Sequence, residues 1–448
     1  MEEQKYRAYL QILKEELVPA LGCTEPIAIA YCAALAREAC GSMPEHLDIY
    51  CSGNIIKNVK SVTVPNSGGL HGIEAAAVLG AVGGRADKKL EVLEEITPEQ
   101  REQAQQLLQR HICTCYLEEG VENLYIRIEA KGQKHRATVV ISQKHTHIER
   151  IERDGEILFQ ARPQEECKEQ AAGEPHQGQE LERQGEAEAK ETEDKRSLLN
   201  VADILHFADT VRMEDIEEVI GRQIRLNTAI SEEGLKNHYG AEVGRTLLAA
   251  YGDDVKVRAK AKAAAGSDAR MNGCSLPVVI NSGSGNQGMT CSLPVIEFAK
   301  EWQVSKEKLY RALVVSNLVA IHQKKYIGSL SAYCGAVSAA CGAGAAIAYL
   351  RGGGYEAVSK TITNTIANMG GVVCDGAKSS CAAKIASSVD AAILAVALES
   401  ANHCFQPGEG LVQDNVEDTI KNLGYVGRVG MKSTDVTILK LMIRQDEK

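Results

Sequence analysis

The chain has 448 residues, of which 44% are hydrophobic and 25% are charged, and its formal net charge is −10. This composition is typical of a globular protein with two or three domains, and the acidic balance gives no reason to expect a nucleic-acid-binding surface. Aromatic residues make up only 4% of the chain, whereas 40 residues are glycine. We therefore expect helices that pack closely through small side chains.

The first ten residues, MEEQKYRAYL, have neither the basic start nor the apolar core of a signal peptide. We therefore expect a cytoplasmic protein whose 14 cysteines are reduced. The uncharged stretch 328–348 has the length of a membrane span, but it consists mainly of small residues, which favours a buried helix. No membrane is expected as a partner. The sequence does not determine the oligomeric state, and a homodimer is possible.

In chain order, the first 40 residues show the apolar periodicity of helices, which the segment PALGCTEP at 19–26 interrupts. Its two prolines and its glycine indicate a break, after which Thr24 or Glu25 can start the second helix with Pro26 at its first position. Cys23 would then lie at the exposed N-terminus of that helix, where the helix dipole favours a thiolate.

From residue 46 onward the pattern changes to strands and helices in alternation. LDIYCSG, KSVTVPNSGG and four segments between 123 and 161 are predicted strands, with a hairpin turn at Asp154-Gly155. Residues 72–83 and 98–111 are predicted helices. From residue 198 to the end of the chain the periodicity is helical.

These patterns predict an α+β fold with two domains. A largely α-helical catalytic domain is formed by 1–45 and 197–448, and a smaller α/β (mixed-sheet) domain, 46–163, is inserted into it. Between them, residues 164–196 hold eleven acidic and five basic residues and a single large aliphatic side chain. This segment cannot bury enough apolar surface to offset its ordering entropy, so it is predicted to be an acidic disordered linker.

The Gly-rich loop NSGSGNQG, residues 281–288, is a candidate anion site. Its glycines free backbone N–H groups to hold an anion, and Ser282, Ser284, Asn286 and Gln287 add side-chain donors. A plain turn is the alternative. The loop lacks the Lys-Ser/Thr of a P-loop, but it is similar to the Ser-Gly-Asn loop on the phosphate side of pyridoxal-phosphate dehydratases.

Two further polar segments can bind a small acid. SGNIIKN is predicted to be a strand that ends in Asn54, Lys57 and Asn58, which offer two amides and one ammonium group. A solvated turn is the alternative. In GSDAR, Arg270 can hold a carboxylate by two hydrogen bonds, or it simply pairs with Asp268.

Two histidines, His145 and His147, lie two positions apart in the segment HTHI. This spacing predicts that both side chains project from the same face of a strand. Without more histidines nearby in the sequence, a metal site there is not favoured.

Cys374 and Cys381 flank an Asp-Gly step in the small-residue stretch 370–385. On a straight helix, seven positions separate two side chains by roughly 10 Å, which is too far for one metal ion to bridge. Asp375 and Gly376 favour a turn instead, which can bring the two thiols together. No pair of cysteines has the C-x-x-C spacing of a zinc ribbon or a ferredoxin, so buried core cysteines are the default interpretation.

Taken together, PALGCTEP, SGNIIKN, GSDAR, NSGSGNQG, SAYC and VCDGAKSSC resemble, in this order, the motifs of the L-cysteine desulfidase family (UPF0597). This family is related to the α chain of iron–sulfur L-serine dehydratases. The resemblance covers nearly the whole chain except the acidic stretch 164–196. It implies a pyridoxal-independent carbon–sulfur lyase with an oxygen-sensitive [4Fe-4S] cluster, which converts L-cysteine to pyruvate, ammonia and sulfide by β-elimination.

The resemblance also implies roles for individual residues. Cys334, Cys374 and Cys381 correspond to the three cysteine ligands of the cluster in the related dehydratases. Cys23 of PALGCTEP is implied to be a fourth ligand or an acid–base catalyst. The SGNIIKN and NSGSGNQG segments would hold the carboxylate and amine of a small amino-acid substrate. Cys341 matches no motif cysteine and is predicted to be a core residue.

Three alternatives stay open. The same cluster chemistry on L-serine differs only in pocket detail, which the sequence does not show. A pyridoxal-phosphate lyase needs a Schiff-base lysine, and Lys256, Lys260 and Lys262 lie in a polar run without the expected flanking residues. A non-catalytic iron–sulfur redox sensor would have no use for the two polar loops.

Overall fold

A computed structural model describes residues 1–161, 195–328 and 330–444 of the chain. Its strands are β1 (Pro19–Leu21), β2 (His46–Cys51), β3 (Cys113–Leu117), β4 (Tyr125–Lys131), β5 (Arg136–Ser142), β6 (Ile148–Arg153), β7 (Glu156–Gln160) and β8 (Pro277–Val279). The helices before residue 162 are α1 (Glu3–Glu16), α2 (Thr24–Cys40), α3 (Gly53–Val59), α4 (Gly72–Gly83) and α5 (Pro98–Gln109). Those after residue 195 are α6 (Val201–Thr210), α7 (Met213–Lys236), α8 (Val243–Tyr251), α9 (Val255–Met271), α10 (Gly285–Glu301), α11 (Lys306–Ile327), α12 (Gly335–Leu350), α13 (Tyr355–Met369), α14 (Cys381–Ser400), α15 (Val416–Tyr425) and α16 (Lys432–Arg444).

Six strands form a mixed sheet in the order β3-β2-β4-β5-β6-β7, in which β2 and β3 are parallel and the other neighbours are antiparallel. Alternate residues of the central strands, such as Ile49, Ile128 and Val139, are buried and lie opposite one another. Helices α2 and α4 pack against the sheet. The hairpin at Asp154 and Gly155 is confirmed, with φ of 51° and 87°. The predicted α+β fold class with a mixed sheet is therefore confirmed.

Two strand predictions in the N-terminal part are wrong. SGNIIKN contains helix α3, because the Ser52 side chain accepts a hydrogen bond from the Ile55 N–H and caps the helix. KSVTVPNSGG forms turns and an isolated bridge from Thr63 to His71. Strand β3, which the sequence did not indicate, occupies the edge of the sheet beside β2.

The helical part packs around α12, whose residues from Ala336 to Leu350 are all buried. Helices α10, α11, α13 and α14 contact it. A Cβ atom on Gly342 would overlap the Ser316 carbonyl of α11, so these two helices approach as closely as glycine allows. The stretch 328–348 therefore contains the predicted buried helix, and the prediction of close packing through small residues is confirmed.

Helix α14 is the one described helix whose length and apolar composition would allow it to cross a membrane. It packs against α9, α12 and α13, and 56% of its apolar window is buried. A core helix of a globular protein meets the same criteria, so this helix is weak evidence for a membrane span.

A two-stranded antiparallel sheet that the sequence did not indicate joins distant parts of the chain. Strand β1, in PALGCTEP, pairs with β8, so that Pro19 lies opposite Val279. Asn227 of α7 fixes β8, since its side chain donates to the Val279 carbonyl and accepts from the Val279 N–H. This pairing places the start of α2 beside the Gly-rich loop that follows β8.

The division of the chain into two domains stays a prediction. Helix α2, which belongs to the N-terminal part of the predicted helical domain, packs on β4 and β5 of the six-stranded sheet and is buried along most of its length. The predicted acidic linker, 164–196, lies outside the described residues except for Lys195 and Arg196.

Candidate active site

Cys23 directly precedes α2, at the predicted helix N-terminus, but it is not exposed, and Pro26 is the third residue of the helix instead of the predicted first. Only 2% of the residue is accessible to solvent, and its thiol donates a hydrogen bond to Glu25 Oε2 at 3.1 Å. Burial raises the pKa of the Cys23 thiol well above its ordinary range, the Glu25 carboxylate raises it further, and Arg270 lowers it. The predicted exposed thiolate is therefore wrong, because a buried thiol beside a carboxylate stays protonated.

Arg270, near the end of α9, is 2% exposed. Its Nε donates to the Gly22 carbonyl at 2.8 Å, and a Cβ atom on Gly285 would overlap its guanidinium group. The alternative prediction, a pair with Asp268, is wrong, because Asp268 accepts instead from the Gly244 N–H at 3.1 Å. The guanidinium group is therefore held between PALGCTEP and the Gly-rich loop.

The Gly-rich loop forms a turn that leads into α10, whose N-cap is Ser284. Ser282, with φ of 49°, completes the turn, and Ser284 Oγ accepts from the Gln287 N–H at 3.5 Å. Thr24 Oγ1, in the first turn of α2, donates to the Gly283 carbonyl at 2.9 Å. The N-termini of α2 and α10 therefore meet, and helix N-termini favour anions through their dipoles and free N–H groups.

Helices α12 and α14 also begin in this region. Cys334 is the N-cap of α12, and Cys381 is the first residue of α14. A Cβ atom on Gly335 would lie 2.6 Å from Gln287 Cδ, so the start of α12 contacts the start of α10. Four helix N-termini thus converge on one region, which favours a negatively charged ligand.

The structure brings the three predicted ligand cysteines together. The Cys374 N–H donates to the Ala332 carbonyl at 2.6 Å, which joins the segment before α14 to the segment before α12. The Cys381 thiol donates to the Gly376 carbonyl at 3.7 Å. Burial raises the pKa of Cys334 to about 12, and Cys374 and Cys381 raise it too, because the three thiols lie close enough to interact. Their role as ligands stays a prediction.

Positive charge surrounds these thiols. Lys324 of α11 is 7% exposed, and burial lowers its pKa to about 8, while two of the three cysteines raise it. Lys378 pairs with Asp375 at 2.5 Å, and Lys384 pairs with the same carboxylate. Cations favour the thiolate form of a neighbouring cysteine, so these lysines would offset the charge of thiolate ligands.

The three cysteines supply the type of ligand that an iron–sulfur cluster takes. In the part of the chain that the structure describes, no group of three or more His, Cys, Asp or Glu side chains is arranged to hold one metal ion. Cysteine thiolates are the ligands of iron–sulfur clusters, and three of them leave one iron without a protein ligand. Cys334, Cys374 and Cys381, with lysines beside them, therefore fit such a cluster.

Helix α3 of SGNIIKN lies against the Asp-Gly turn between these cysteines. A Cβ atom on Gly376 would overlap the Lys57 carbonyl. Lys57 is 2% exposed, and its ammonium group pairs with Asp435 of α16. Asn58 is buried beside it in the sequence. The predicted cationic contact for a substrate is therefore already paired with a carboxylate of this chain.

Several buried polar atoms of the region lack a hydrogen-bond partner among the described residues. They are Asn54 Oδ1, His145 Nε2, Asn286 Oδ1 and Gln287 Oε1. An unsatisfied buried polar atom costs about 1–3 kcal/mol, so a group of such atoms favours a site built for a polar ligand. Three of the four belong to residues that the sequence predicted as substrate contacts.

The sequence predicted that His145 and His147 share a strand face, but in the structure they do not. It lies in the turn between β5 and β6, and its ring packs on the Gly-rich loop, where a Cβ atom on Gly283 would lie 3.2 Å from His145 Cε1. His147 is exposed, and its Nδ1 lies 3.2 Å from the Ser142 carbonyl oxygen. The tight turn gives the two rings different surroundings, so the predicted shared face is wrong.

Sequence analysis missed three polar residues of this region. Thr24 and Glu25 follow Cys23 directly in PALGCTEP, and that position was the available signal. His145 was noticed only as half of a histidine pair, and no local pattern connects it to the Gly-rich loop.

A family profile described as "Serine dehydratase alpha chain" matches residues 87–440 of the chain. Three similar proteins all carry the name UPF0597 protein. The protein of Lachnoclostridium phytofermentans is 52% identical over 98% of this chain and 100% of its own length. The protein of Desulfitobacterium hafniense is 50% identical over 99% of this chain and 98% of its own. The protein of Treponema denticola is 46% identical over 99% of both chains.

The matched region contains α10, α12 and α14, and with them the three cysteines at the convergent helix N-termini. This places the fold and the candidate site in the class of proteins related to the serine dehydratase alpha chain. Within that class, the chain belongs to the UPF0597 family. The resemblance found in the sequence motifs is therefore confirmed.

Proposed function

We propose that the protein is an iron–sulfur-dependent, pyridoxal-independent lyase that converts L-cysteine to pyruvate, ammonia and sulfide by β-elimination. The observation that carries this proposal is the convergence of three thiols, a buried arginine and several unpartnered polar atoms on four helix N-termini. The relationship to the serine dehydratase alpha chain supports a lyase. We place the reaction in the cytoplasm, where thiols stay reduced; the cysteines of the described residues are all free.

Cys334, Cys374 and Cys381 are the residues that would hold a [4Fe-4S] cluster. When bound, the cluster supplies a Lewis-acidic iron with an open position that can polarise the leaving sulfur atom. Lys324 and Lys384 stabilise the thiolate form of these cysteines. Because burial raises the pKa of Cys334 to about 12, loading has to release a proton from this thiol.

In this proposal, Arg270 and the start of α10 bind the substrate carboxylate. A guanidinium group holds a carboxylate with two charge-assisted hydrogen bonds, and the free N–H groups of a helix N-terminus add further donors. The unpartnered oxygens of Asn286 and Gln287 accept hydrogen bonds from the substrate ammonium group. Burial of the site strengthens each of these contacts by excluding water.

Cys23 acts as a proton donor in this proposal. Its thiol is protonated and bonded to Glu25, so it can supply a proton to the sulfur that leaves the substrate. The alternative role, a fourth ligand of the cluster, would close the site and require the substrate to displace Cys23. The hydrogen bond to Glu25 favours the donor role. The aminoacrylate that the elimination produces hydrolyses to pyruvate and ammonia without help.

L-Serine is the second candidate substrate, because the matching family profile is described as serine dehydratase alpha chain. The same residues would bind its carboxylate and amine, and hydroxide would replace hydrosulfide as the leaving group. A non-catalytic iron–sulfur sensor is not favoured, because it would leave the buried Arg270 and the unpartnered amide oxygens without a function.

The test begins with protein purified in the absence of oxygen. Iron and acid-labile sulfide are measured per chain, and about four of each are expected for one cluster. Sulfide release from L-cysteine and pyruvate formation from L-serine are then compared. A higher kcat/KM for L-cysteine supports the proposal, and a higher value for L-serine supports the dehydratase. Protein that stays free of iron after anaerobic reconstitution would contradict the cluster and make a pyridoxal lyase the next hypothesis.

A further inference from the structure

His145 is a half-buried residue that the proposed function does not use. The ring packs on Gly283, where a Cβ atom would lie 3.2 Å from Cε1 and 3.5 Å from Nδ1. The carbonyl of that same glycine accepts a hydrogen bond from Thr24 of α2. The imidazole therefore lies at the point where α2 and α10 begin.

The Nε2 atom of His145 is buried and has no hydrogen-bond partner among the described residues. Buried ring nitrogens are normally paired, so an unpaired one beside a candidate anion site points to a ligand. The charged groups that act on the ring are Glu25 from α2 and Arg270 from α9, and the Gly-rich loop contributes no titratable side chain. Because the same two groups act on Cys23, these residues line one site.

We propose that His145 is the base that removes the α-proton of the amino-acid substrate whose carboxylate Arg270 binds. This inference rests on the proposed function. Nε2 takes the proton, the electron pair of the Cα–H bond forms the Cα–Cβ double bond, and the Cβ–S bond breaks with its electron pair on sulfur. Cys23 protonates the departing hydrosulfide and is reprotonated from His145 through solvent. The step needs no oxidant or reductant, because the electron pairs move within the substrate.

The surroundings suit opposite roles for the two side chains. Burial lowers the pKa of His145 and Arg270 lowers it further, while Glu25 raises it. The ring is therefore neutral near pH 7, as a base has to be, and Glu25 stabilises the imidazolium that forms. Burial raises the pKa of Cys23 instead, which suits a proton donor. The surroundings of an acid and a base in one active site commonly move their pKa values apart in this way.

The experiment compares H145N with H147N in the iron-loaded protein. His147 is the matched control, because it lies two positions away but is exposed and bonds to Ser142. H145N should lose about 10²–10⁴-fold in kcat with iron content and KM unchanged, which is the usual contribution of a general base. H147N should keep the wild-type kcat. If H145N unfolds early or loses iron, H145Q replaces it in the same comparison.

A pH profile separates a base from a residue that only packs. In the wild type, kcat/KM should fall toward low pH through a group whose pKa lies below 6.5, the ordinary value for histidine. This acid limb should be absent in H145N, and added imidazole should restore part of the rate of H145A. If His145 only supports the loop, its replacement would lower the rate by the same factor at every pH. That result would overturn the inference.

The outcomes for the two proposals are distinguishable. Wild-type protein that converts neither L-cysteine nor L-serine would contradict the proposed function, and the inference about His145 would fall with it. An active wild type with equal kcat in H145N and H147N would overturn the inference about His145 and leave the proposed function in place.

Discussion

Two groups of cysteines in this protein share the same chemistry but have opposite surroundings. The sheet cysteines are Cys51, Cys113 and Cys115 together with Cys32 of α2, which packs on the sheet, and the late cysteines are Cys334, Cys374 and Cys381. The carboxylate of Glu74 acts on two of the sheet cysteines, whereas lysines act on the late cysteines. A carboxylate favours the protonated thiol and a lysine favours the thiolate, so the charged surroundings separate candidate ligands from core residues.

The thiols of the sheet cysteines also find hydrogen-bond partners within this part of the protein. A hydrogen bond with Cys115 and then burial raise the pKa of Cys51, and burial followed by Glu74 raises the pKa of Cys113 to about 12. The Cys32 thiol donates to the Val139 carbonyl at 3.5 Å. These thiols behave as small apolar residues of the core. The number of cysteines in a region therefore says less about metal binding than the charges and helix termini beside them.

Loss of iron is the largest effect that this comparison predicts. C374A should lose the cluster and the activity together, because it removes one of three candidate ligands. C51A, in the sheet, and C341A, in the core of α12, should keep both. Iron per chain and kcat after anaerobic purification are the measurements. A C374A protein that keeps its iron would contradict the ligand assignment and remove the distinction between the two groups.

Replacing one arginine by lysine in the candidate site and one in the sheet should distinguish substrate binding from packing. R270K keeps the charge but loses the two-point geometry, and kcat/KM should fall about 10- to 100-fold, since hydrogen bonds to charged groups contribute about 1.5–3 kcal/mol. Arg127 of β4 is the control, because it lies 3.7 Å above the Tyr50 ring, in the sheet. R127K should leave kcat/KM unchanged. Equal losses in the two variants would argue against carboxylate binding by Arg270.

Lys324 tests whether cations set the late cysteines apart. Burial lowers its pKa from 10.5 to about 8, so between these pH values the folded chain holds fewer protons than the unfolded chain, and stability rises with pH. K324M should remove this rise of up to about 3 kcal/mol. It should also bind less iron, because the thiolates lose a cation.

Denaturant unfolding of iron-free K324M and wild type between pH 7 and 10 measures the effect of the lysine on stability. Iron per chain after reconstitution measures its effect on the late cysteines. If K324M takes up as much iron as the wild type, the positive surroundings are not what distinguishes this group.

Neutralising Glu74 should have the smallest effect. E74Q removes the carboxylate that raises the pKa of Cys113, so alkylation of this thiol at pH 9 should become faster by a factor of about two to three. Mass spectrometry of labelled peptides follows the rate. Iron content and kcat should not change. A change in either would connect the sheet cysteines to the site.

Local patterns predicted the elements that near neighbours in the chain stabilise. The alternation of β4, with Ile126 and Ile128 buried, and the Asp-Gly hairpin are of this kind. SGNIIKN was predicted as a strand that ends in polar residues, but the Ser52 cap and the contact of Lys57 with Gly376 favour a helix. The contact with Gly376 depends on a segment far away in the chain, which a local pattern cannot contain.

The motifs predicted several of the polar residues that gather in the candidate site but not the state of each. Cys23 was expected to be an exposed thiolate from its helix terminus alone, whereas Glu25 and burial keep it protonated. His145 reaches the Gly-rich loop because the turn after β5 lies over it. Burial and contacts between distant segments are tertiary properties, and they decide protonation more strongly than a helix dipole does.

The pairing of β1 with β8 also determines when the site can exist. Pro19 has to pair with Val279 before the start of α2 can contact the Gly-rich loop. Contacts between such distant segments form late in folding. Cys381 leaves the ribosome later still. A nascent chain that ends before α14 therefore lacks Cys381, one of the three thiols. Its N-terminal helices can pack against their partners only after these have been synthesised, near the end of translation. Insertion of the proposed cluster would accordingly follow translation of most of the chain.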